Sequence, residues 1–360
     1  MFSAADHEFM GQALALAGRG LYTTTPNPRV GCVVVRDGAV VGSGWHEKAG
    51  LPHAEVLALK EAGDRARGAA LYVNLEPCSH HGRTPPCVDA VIAAGVKRVV
   101  AAIQDPNPKV AGSGFAKLRA AGMVIELGLK EDEARELNIG FVLRMARGRP
   151  WVRMKIAASL DGRTALANGK SQWITGEVAR ADGHRWRARA CAILTGFGTV
   201  RDDDPQLNVR GVDTSRQPLK IVVDSKFETS PSARLLKEGK TLVVGAVNDA
   251  KRIASLKQAG AEVAIIPNDS SKVELFELMQ DLARRELNEI HVEAGAKLNG
   301  SLLQAGVVDE LLVYLAPSLI GDSGRGMFSL PELTELSRST ALKIREVERV
   351  GEDLRILARL

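Results

Sequence analysis

Residue types that bind zinc follow one another in a short part of the sequence. His53 and Glu55 form a His-x-Glu pair, Pro77 precedes Cys78, and Cys87 comes next. One imidazole and two thiolates suit tetrahedral zinc, and three protein ligands leave the fourth position open for a water molecule. The ligand types therefore predict one zinc ion per chain, bound by His53, Cys78 and Cys87.

Glu55 follows the first ligand by two positions, at the start of a predicted helix. A carboxylate at this place can lie beside the metal and carry protons without binding the metal itself. Zinc acidifies its bound water, so metal, water and proton carrier are all accounted for. We therefore predict that Glu55 is a catalytic residue.

The other cysteines and histidines fit this site less well. Cys32 and Cys191 lie among apolar residues, which is typical of core thiols. His80 and His81 are alternative ligands, but a flexible insert can equally place them near substrate or solvent, so we leave both out of the metal set. His46 closes the strand before the site, where a substrate contact is possible.

The elements around these residues predict an α/β domain with a mixed sheet. Two β-rich runs, 30–36 and 39–45, are joined by Asp37-Gly38, which favours a tight hairpin turn. Helix, strand, helix and strand patterns then follow at 54–62, 70–75, 88–94 and 98–103. The segment from Arg144 to Pro150 is basic and broken by glycine and proline, which predicts a linker and a boundary near residue 148.

Length and composition agree with two globular domains. The 360 residues are 45% hydrophobic and 25% charged, with a net charge of +5, which argues against disorder, collagen and coiled coil. We expect domains at 1–147 and 148–360. There is no apolar run of membrane-spanning length, and the N-terminus lacks a basic region followed by an apolar one. We therefore expect a cytoplasmic protein that does not bind membranes.

The second half repeats the α/β pattern and ends in residues 342–360, which are typical of an edge hairpin. Gly196-Phe-Gly198 predicts a turn at a strand end. Leu298 is expected to open a helix, so amides from Gly295 to Ser301 could hold a phosphate at a helix N-terminus. The fingerprint Gly-x-Gly-x-x-Gly with a trailing acid is absent from the sequence, which counts against a classical dinucleotide fold.

The metal motif resembles that of the zinc-dependent cytidine deaminase superfamily, whose signature is His-x-Glu followed by Pro-Cys-x-x-Cys. Eight residues separate Cys78 from Cys87 here, instead of two. This longer insert, with Pro26-Asn27-Pro28-Arg-Val-Gly31, is similar to the deaminase half of the bifunctional deaminase–reductase family of riboflavin biosynthesis. The resemblance implies a three-layer, cytidine-deaminase-like domain in which the Asn27 amide binds substrate. Turn formation is the alternative role of Asn27.

The second half resembles the reductase half of the same family, a domain with a dihydrofolate-reductase-like α/β fold that uses NADPH. The most specific segments are 158–163 (ASLDGR), 171–175 (SQWIT), 202–205 (DDDP), 207–210 (LNVR) and 293–295 (EAG). The family pattern implies NADP contacts at Ala157, Trp173, Thr199, Asp203, Gly295, Ala296, Lys297, Leu298, Asn299, Gly300 and Ser301. It implies substrate contacts at Ser171, Arg187, Leu207, Arg210 and Glu293.

The resemblance implies two reactions on a phosphorylated pyrimidine. The first is hydrolytic deamination of 2,5-diamino-6-ribosylamino-4(3H)-pyrimidinone 5′-phosphate. The second is reduction of the ribosyl side chain by NADPH. Arg187 and Arg210 suit the ribose phosphate, because guanidinium groups form bidentate hydrogen bonds. A homo-oligomer is also expected.

Two other functions share part of these features. A nucleic-acid base deaminase with a non-catalytic, RNA-binding second domain would have the same metal motif, but aromatic residues total only 4% and no basic tract is present. A second domain that only dimerises the deaminase is the other alternative. We therefore expect no nucleic-acid partner.

Overall fold

The structure is a computed structural model that describes residues 1–81, 85–108 and 110–360. It divides into two compact units, Met1–Gly148 and Arg149–Leu360. The described part of the first unit contains, in chain order, α1 (Ala4–Gly18), β1 (Gly31–Arg36), β2 (Ala39–Trp45), α2 (Ala54–Ala62), β3 (Ala70–Leu75), α3 (Cys87–Ala93), β4 (Arg98–Ile103), α4 (Ser113–Ala120), β5 (Val124–Leu127), α5 (Glu131–Leu137) and α6 (Ile139–Arg147).

The strands of this unit form one sheet in the order β2-β1-β3-β4-β5. Strand β1 is antiparallel to β2 and β3, whereas β3, β4 and β5 are parallel, so the predicted mixed sheet is confirmed. Asp37 and Gly38 both have positive φ angles, of 51° and 78°, as the predicted hairpin turn requires.

Helices cover both faces of this sheet. A Cβ at Gly31 would lie 2.1 Å from the Ala13 carbonyl oxygen of α1, and one at Gly44 would lie 2.5 Å from the Ala54 oxygen of α2. Gly44 pairs with Cys32, the neighbour of Gly31 in β1. Because successive residues of a strand face opposite sides, α1 and α2 lie on opposite faces and the domain has three layers.

The described part of the second unit contains, in chain order, β6 (Trp151–Ser159), β7 (Arg163–Ala165), α7 (Glu177–Arg189), β8 (Ala192–Gly196), α8 (Phe197–Asp203), β9 (Leu219–Val223), β10 (Thr241–Gly245), α9 (Ala250–Gln258), β11 (Glu262–Ile265), α10 (Leu275–Arg284), β12 (Glu289–Val292), α11 (Ala296–Gln304), β13 (Glu310–Ala316), β14 (Arg325–Gly326), β15 (Lys343–Val350) and β16 (Asp353–Arg359). The large sheet has the order β11-β10-β9-β8-β12-β6-β13-β16-β15, and β14 pairs with β7. The predicted C-terminal hairpin, β15 and β16, forms one edge of the large sheet.

A buried arginine of the large sheet, paired with two carboxylates, contacts helix α7. Arg153 of β6 is buried between Glu289 of β12 and Glu310 of β13, with N–O distances of 3.2 and 2.5 Å. Its guanidinium group lies 4.5 Å from the ring centroid of Trp186 in α7. The two carboxylates neutralise the positive charge of Arg153, so the guanidinium group can be buried between α7 and the sheet.

Three sequence predictions are wrong in detail. Arg144 to Arg147 belong to α6 rather than to a linker, because Gly148 at φ 65° ends the helix only after them. The Gly196-Phe-Gly198 segment begins helix α8 instead of forming a turn. Helix α11 begins at Ala296 rather than Leu298, with Gly295 as its N-cap.

Replacing Gly44 by alanine should destabilise the first unit by about 1–3 kcal/mol, because the new methyl group would press on the backbone of α2. Calorimetry should show a lower melting temperature for this unit. Gly18→Ala is the matched control, since a Cβ there meets nothing within 4 Å. An equally stable Gly44→Ala protein would contradict the close packing.

Candidate functional site

The three predicted metal ligands converge in the first unit. His53 is the N-cap of α2, Cys87 is the first residue of α3, and Cys78 lies in the segment after β3. Their ligand atoms all lie within 4.8 Å of one another. His53 Nδ1 is 3.2 Å from Cys87 Sγ and 3.5 Å from Cys78 Sγ.

These distances suit a zinc ion. Tetrahedral bonds of about 2.0–2.1 Å to nitrogen and about 2.3 Å to sulfur place a nitrogen and a sulfur donor roughly 3.5–3.6 Å apart. Hydrogen bonds from Cys87 and His53 lower the pKa of the Cys78 thiol, which favours the thiolate form that zinc binds. Donor types and spacing therefore both fit zinc.

Glu55 lies beside this cluster, in the first turn of α2. Its side chain is buried, and Oε2 has no hydrogen-bond partner among the described residues. Burial raises the pKa of Glu55 to about 7, although His53 lowers it. A buried carboxyl group that takes up and gives up a proton near neutral pH can act as a general base and then as a general acid.

Asn27 is linked to the cluster through His46. His46 Nδ1 lies 3.2 Å from the Pro52 carbonyl oxygen, which can only accept, so Nδ1 carries the proton. Nε2 is then free to accept from the Asn27 amide at 3.0 Å. The His46 ring packs edge-on against His53 with centroids 5.1 Å apart. Both residues therefore border the metal cluster.

The remaining cysteines are buried, as the sequence predicts: Cys32 lies in β1, and Cys191 directly precedes β8. His80 and His81 are exposed. Part of the eight-residue insert between the two cysteine ligands, residues 82–84, lies outside the described residues.

In the second unit the structure brings together two predicted substrate residues. Arg187 of α7 donates from Nη2 to Glu293 Oε2 at 2.8 Å and from Nη1 to the Asn208 carbonyl oxygen at 3.0 Å. Burial alone would raise the pKa of Glu293, but Arg187 holds it well below its usual value. Arg187 is therefore engaged by a carboxylate, which competes with a phosphate for the same guanidinium group.

Arg210 lies near Arg187, because both side chains contact Asn208. Its backbone N–H donates to His184 Nδ1 at 3.2 Å, while its exposed guanidinium group contacts the Asn208 amide oxygen at 2.7 Å. Leu207 is buried with φ 50°, and Ser171 lies in the loop before α7. Arg210 thus presents a positive charge that no described carboxylate neutralises.

The residues predicted to bind NADP lie at several places in the second unit. Thr199 and Asp203 are in α8, and Ala157 is in β6. Gly196, just before α8, approaches Leu298 so closely that a Cβ would lie 3.0 Å from its Cδ2. The N-termini of α8 and α11 are therefore neighbours.

Helix α11 offers unpaired polar groups. Gly295 is its N-cap, and Ala296, Lys297, Leu298, Asn299, Gly300 and Ser301 form its first turns, so backbone N–H groups point out of its N-terminus. Asn299 Oδ1 is buried without a partner among the described residues. These features fit a bound phosphate-containing cofactor.

The predicted NADP contact Trp173 is 69% exposed and borders a cavity of about 550 Å³. The guanidinium group of Arg180 stacks on its ring at 4.6 Å from the centroid.

Sequence reasoning missed Lys155 as a site residue. It lies in β6, two positions before Ala157 and therefore on the same face of the sheet. Burial lowers the pKa of Lys155, and both Glu293 and Arg187 act on it electrostatically. In the sequence, Lys155 only interrupts the apolar central stretch of the strand 151–159, which does not show what its side chain contacts.

Comparisons with known proteins cover both units. Residues 3–103 match the family profile "Cytidine and deoxycytidylate deaminase zinc-binding region", and residues 150–356 match "RibD C-terminal domain". The chain is 48% identical to the riboflavin biosynthesis protein RibD of Escherichia coli, over 97% of this chain and 98% of that protein. The chain belongs to the RibD family.

Other RibD proteins support this assignment. The protein of Haemophilus influenzae is 46% identical over 99% of this chain and 97% of its own length. The Acinetobacter baumannii RibD structure matches with a TM-score of 0.92 and 43% identity, covering 99% of this chain and 98% of that one.

A Thermotoga maritima structure described as a diaminohydroxyphosphoribosylaminopyrimidine deaminase/5-amino-6-(5-phosphoribosylamino)uracil reductase has a TM-score of 0.88 and 34% identity, over 99% of this chain and 98% of that chain. The predicted α/β fold, with a deaminase-like first domain and a RibD reductase domain, is confirmed.

Cys87→Ala should lose zinc, because two protein donors remain where three converge. Elemental analysis should show less than one zinc per chain, together with lost deamination. Cys32→Ala is the control: this thiol is also buried in the same unit but lies outside the cluster, so zinc should stay bound. Equal metal loss from both variants would refute the ligand set.

Proposed function

We propose that this RibD-family chain catalyses two successive steps of riboflavin biosynthesis. It deaminates 2,5-diamino-6-ribosylamino-4(3H)-pyrimidinone 5′-phosphate by hydrolysis. It then reduces the ribosyl side chain with NADPH, giving 5-amino-6-ribitylamino-uracil 5′-phosphate. The observation that carries this proposal is the convergence of His53, Cys78 and Cys87 beside buried Glu55, in a chain that aligns end to end with RibD proteins.

Glu55 moves the protons of the deamination. His53, Cys78 and Cys87 would hold a zinc ion, which would lower the pKa of a water molecule and so supply a nucleophile near neutral pH. Glu55 accepts a proton from the attacking water and returns a proton to the departing amino group, which leaves as ammonia. Its buried Oε2 has no hydrogen-bond partner among the described residues, so this oxygen is available to the water. Asn27 and His46, joined by their hydrogen bond, orient the pyrimidine.

The reductase step uses the second unit. NADPH supplies the hydride. We assign cofactor contacts to Ala157, Trp173, Thr199, Asp203 and residues 295–301, and substrate contacts to Ser171, Arg187, Leu207, Arg210 and Glu293.

The two arginines of this set have different roles. Arg187 holds Glu293 in place, whereas the exposed Arg210 is the better phosphate ligand, because its guanidinium group is not paired with a described carboxylate. We also assign Lys155, which lies on the same sheet face as Ala157, to the proton transfer that accompanies the hydride.

We assign the deaminase to residues 1–147 and the reductase to 148–360. Cys78 and Cys87 are free cysteines, as zinc ligands must be, which suits a reducing compartment and supports a cytoplasmic location. No helix in the described part of the chain has the length and apolar character needed to cross a membrane. A homo-oligomer is supported by the exposed apolar side chains of Leu336, Ile344 and Val347, which a second copy would cover.

Glu55→Gln should keep zinc but lose deamination by at least about a hundredfold, since general acid–base catalysis typically contributes 10²–10⁴. The substitution removes the proton carrier without changing side-chain size. Zinc analysis and ammonia release would test it. Glu61→Gln, an exposed residue of the same helix, is the matched control and should deaminate normally. Zinc loss from a folded Glu55→Gln protein would show that Glu55 supports the metal instead.

Arg210→Ala should weaken binding of the phosphorylated reductase substrate about thirtyfold, since a charge-assisted contact is worth on the order of 2 kcal/mol. NADPH oxidation with the deaminated intermediate measures this effect, and zinc content and deamination should stay at wild-type values.

Arg185→Ala is the control for Arg210→Ala, because Arg185 is also an exposed arginine near this site, on α7, but is not assigned to substrate. Equal weakening toward a dephosphorylated analogue would refute the phosphate role. Wild-type protein that oxidises no NADPH with this intermediate would refute the reductase assignment.

A further inference from the structure

One buried carboxylate near the zinc cluster has no part in the mechanism above. Glu76 follows β3 and is 4% exposed. Its Oε2 accepts the backbone N–H groups of Asp105 and Gly112 at 3.1 and 2.9 Å. Its Oε1 accepts those of Gly114 and Phe115 at 2.9 and 3.2 Å. We call Glu76 with these four N–H groups the Glu76 clamp.

The clamp joins two segments of the first unit. One contains Pro77 and the predicted ligand Cys78; the other leads from β4 into α4. The segments are in close contact, since a Cβ at Gly114 would lie 2.3 Å from the Pro77 carbonyl oxygen. A hydrogen bond of 2.6 Å between the hydroxyl groups of Ser79 and Ser113 joins them again.

The second segment also contacts the residue after Cys78, since Lys117 of α4 donates to the Ser79 carbonyl oxygen at 2.8 Å. Burial raises the pKa of Asp105 to about 6, and the negative charges of Glu76 and Cys78 add to this effect. Cys78 therefore lies between Pro77 and Ser79, two residues that the second segment contacts directly.

Only an ionised carboxylate satisfies this arrangement. Each of its oxygens accepts two hydrogen bonds, whereas a glutamine amide of the same shape has one accepting oxygen and an NH₂ group that would face two N–H donors. Leaving buried donors unpaired is unfavourable, so the second segment should move away from Pro77 in such a variant.

We propose that Glu76 is a positioning residue of the deaminase: its carboxylate holds the second segment against Pro77 and Ser79 and so fixes the backbone that carries Cys78 beside the pyrimidine. The inference rests on the proposed deamination. Glu76 touches neither the metal nor the reacting atoms, and it acts through the backbone that it holds.

The test is Glu76→Gln in the full chain, with zinc analysis, steady-state deamination and amide hydrogen exchange. Zinc and NADPH-dependent reduction should stay at wild-type values. The KM for the pyrimidine should rise at least about fivefold and kcat/KM should fall about ten- to a hundredfold, since small misplacements of a site have effects of this size. The amides of Asp105, Gly112, Gly114 and Phe115 should exchange faster.

Two further variants separate positioning from general destabilisation. Gly114→Ala keeps the carboxylate but pushes the second segment from Pro77, so it should reproduce the rise in KM. Asp6→Asn alters another buried carboxylate of the same unit, which binds Ser3, Tyr72 and Arg98, and should lower stability without changing KM.

Several results would overturn the proposal. An unchanged KM in Glu76→Gln, or a loss of kcat in proportion to zinc, would show that the clamp does not position the site. A similar rise of KM in Asp6→Asn would point to loss of stability instead. If the wild-type protein does not deaminate the pyrimidine, the proposed function fails, and unchanged hydrogen exchange in Glu76→Gln would refute the clamp separately.

Discussion

Helix α2 lies so close to strand β2 that two positions of the strand have no room for a side chain. A Cβ at Gly42 would lie 2.1 Å from the Ala58 carbonyl oxygen, and one at Gly44 would lie 2.5 Å from that of Ala54. This contact fixes the first turn of α2, which begins directly after His53 and contains Glu55. The position of the imidazole and the burial of the carboxylate both depend on it.

The two proposed sites differ in how their buried carboxylates are neutralised. The deaminase site leaves Glu55 buried with an unpartnered oxygen, so its proton can move. In the proposed reductase site, Arg187 of α7 neutralises the buried carboxylate of Glu293. The same helix packs on Arg153, which is paired with Glu289 and Glu310 of the sheet. Glu55 can therefore exchange a proton, whereas the Arg187–Glu293 pair keeps its charges and orients neighbouring groups.

The convergence of His53, Cys78 and Cys87 and the hairpin at Asp37-Gly38 could be predicted from sequence because their signals are local. A cysteine or a His-x-Glu pair shows its chemistry without its surroundings, and an Asp-Gly turn depends on two residues. Lys155 and the Glu76 clamp could not be predicted, since their roles come from contacts between distant segments, such as Glu76 with Gly114. The helix at 139–147 was missed because its basic last turn and the following glycine are also typical of a linker.

X-ray absorption at the zinc edge of the purified protein tests most directly whether these elements assemble the metal site. We expect two sulfur neighbours at about 2.3 Å and two lighter neighbours at about 2.0–2.1 Å, from Cys78, Cys87, His53 and one water. A third sulfur neighbour, or fewer than two, would contradict the ligand set and the convergence of α2, α3 and the segment after β3 on one ion.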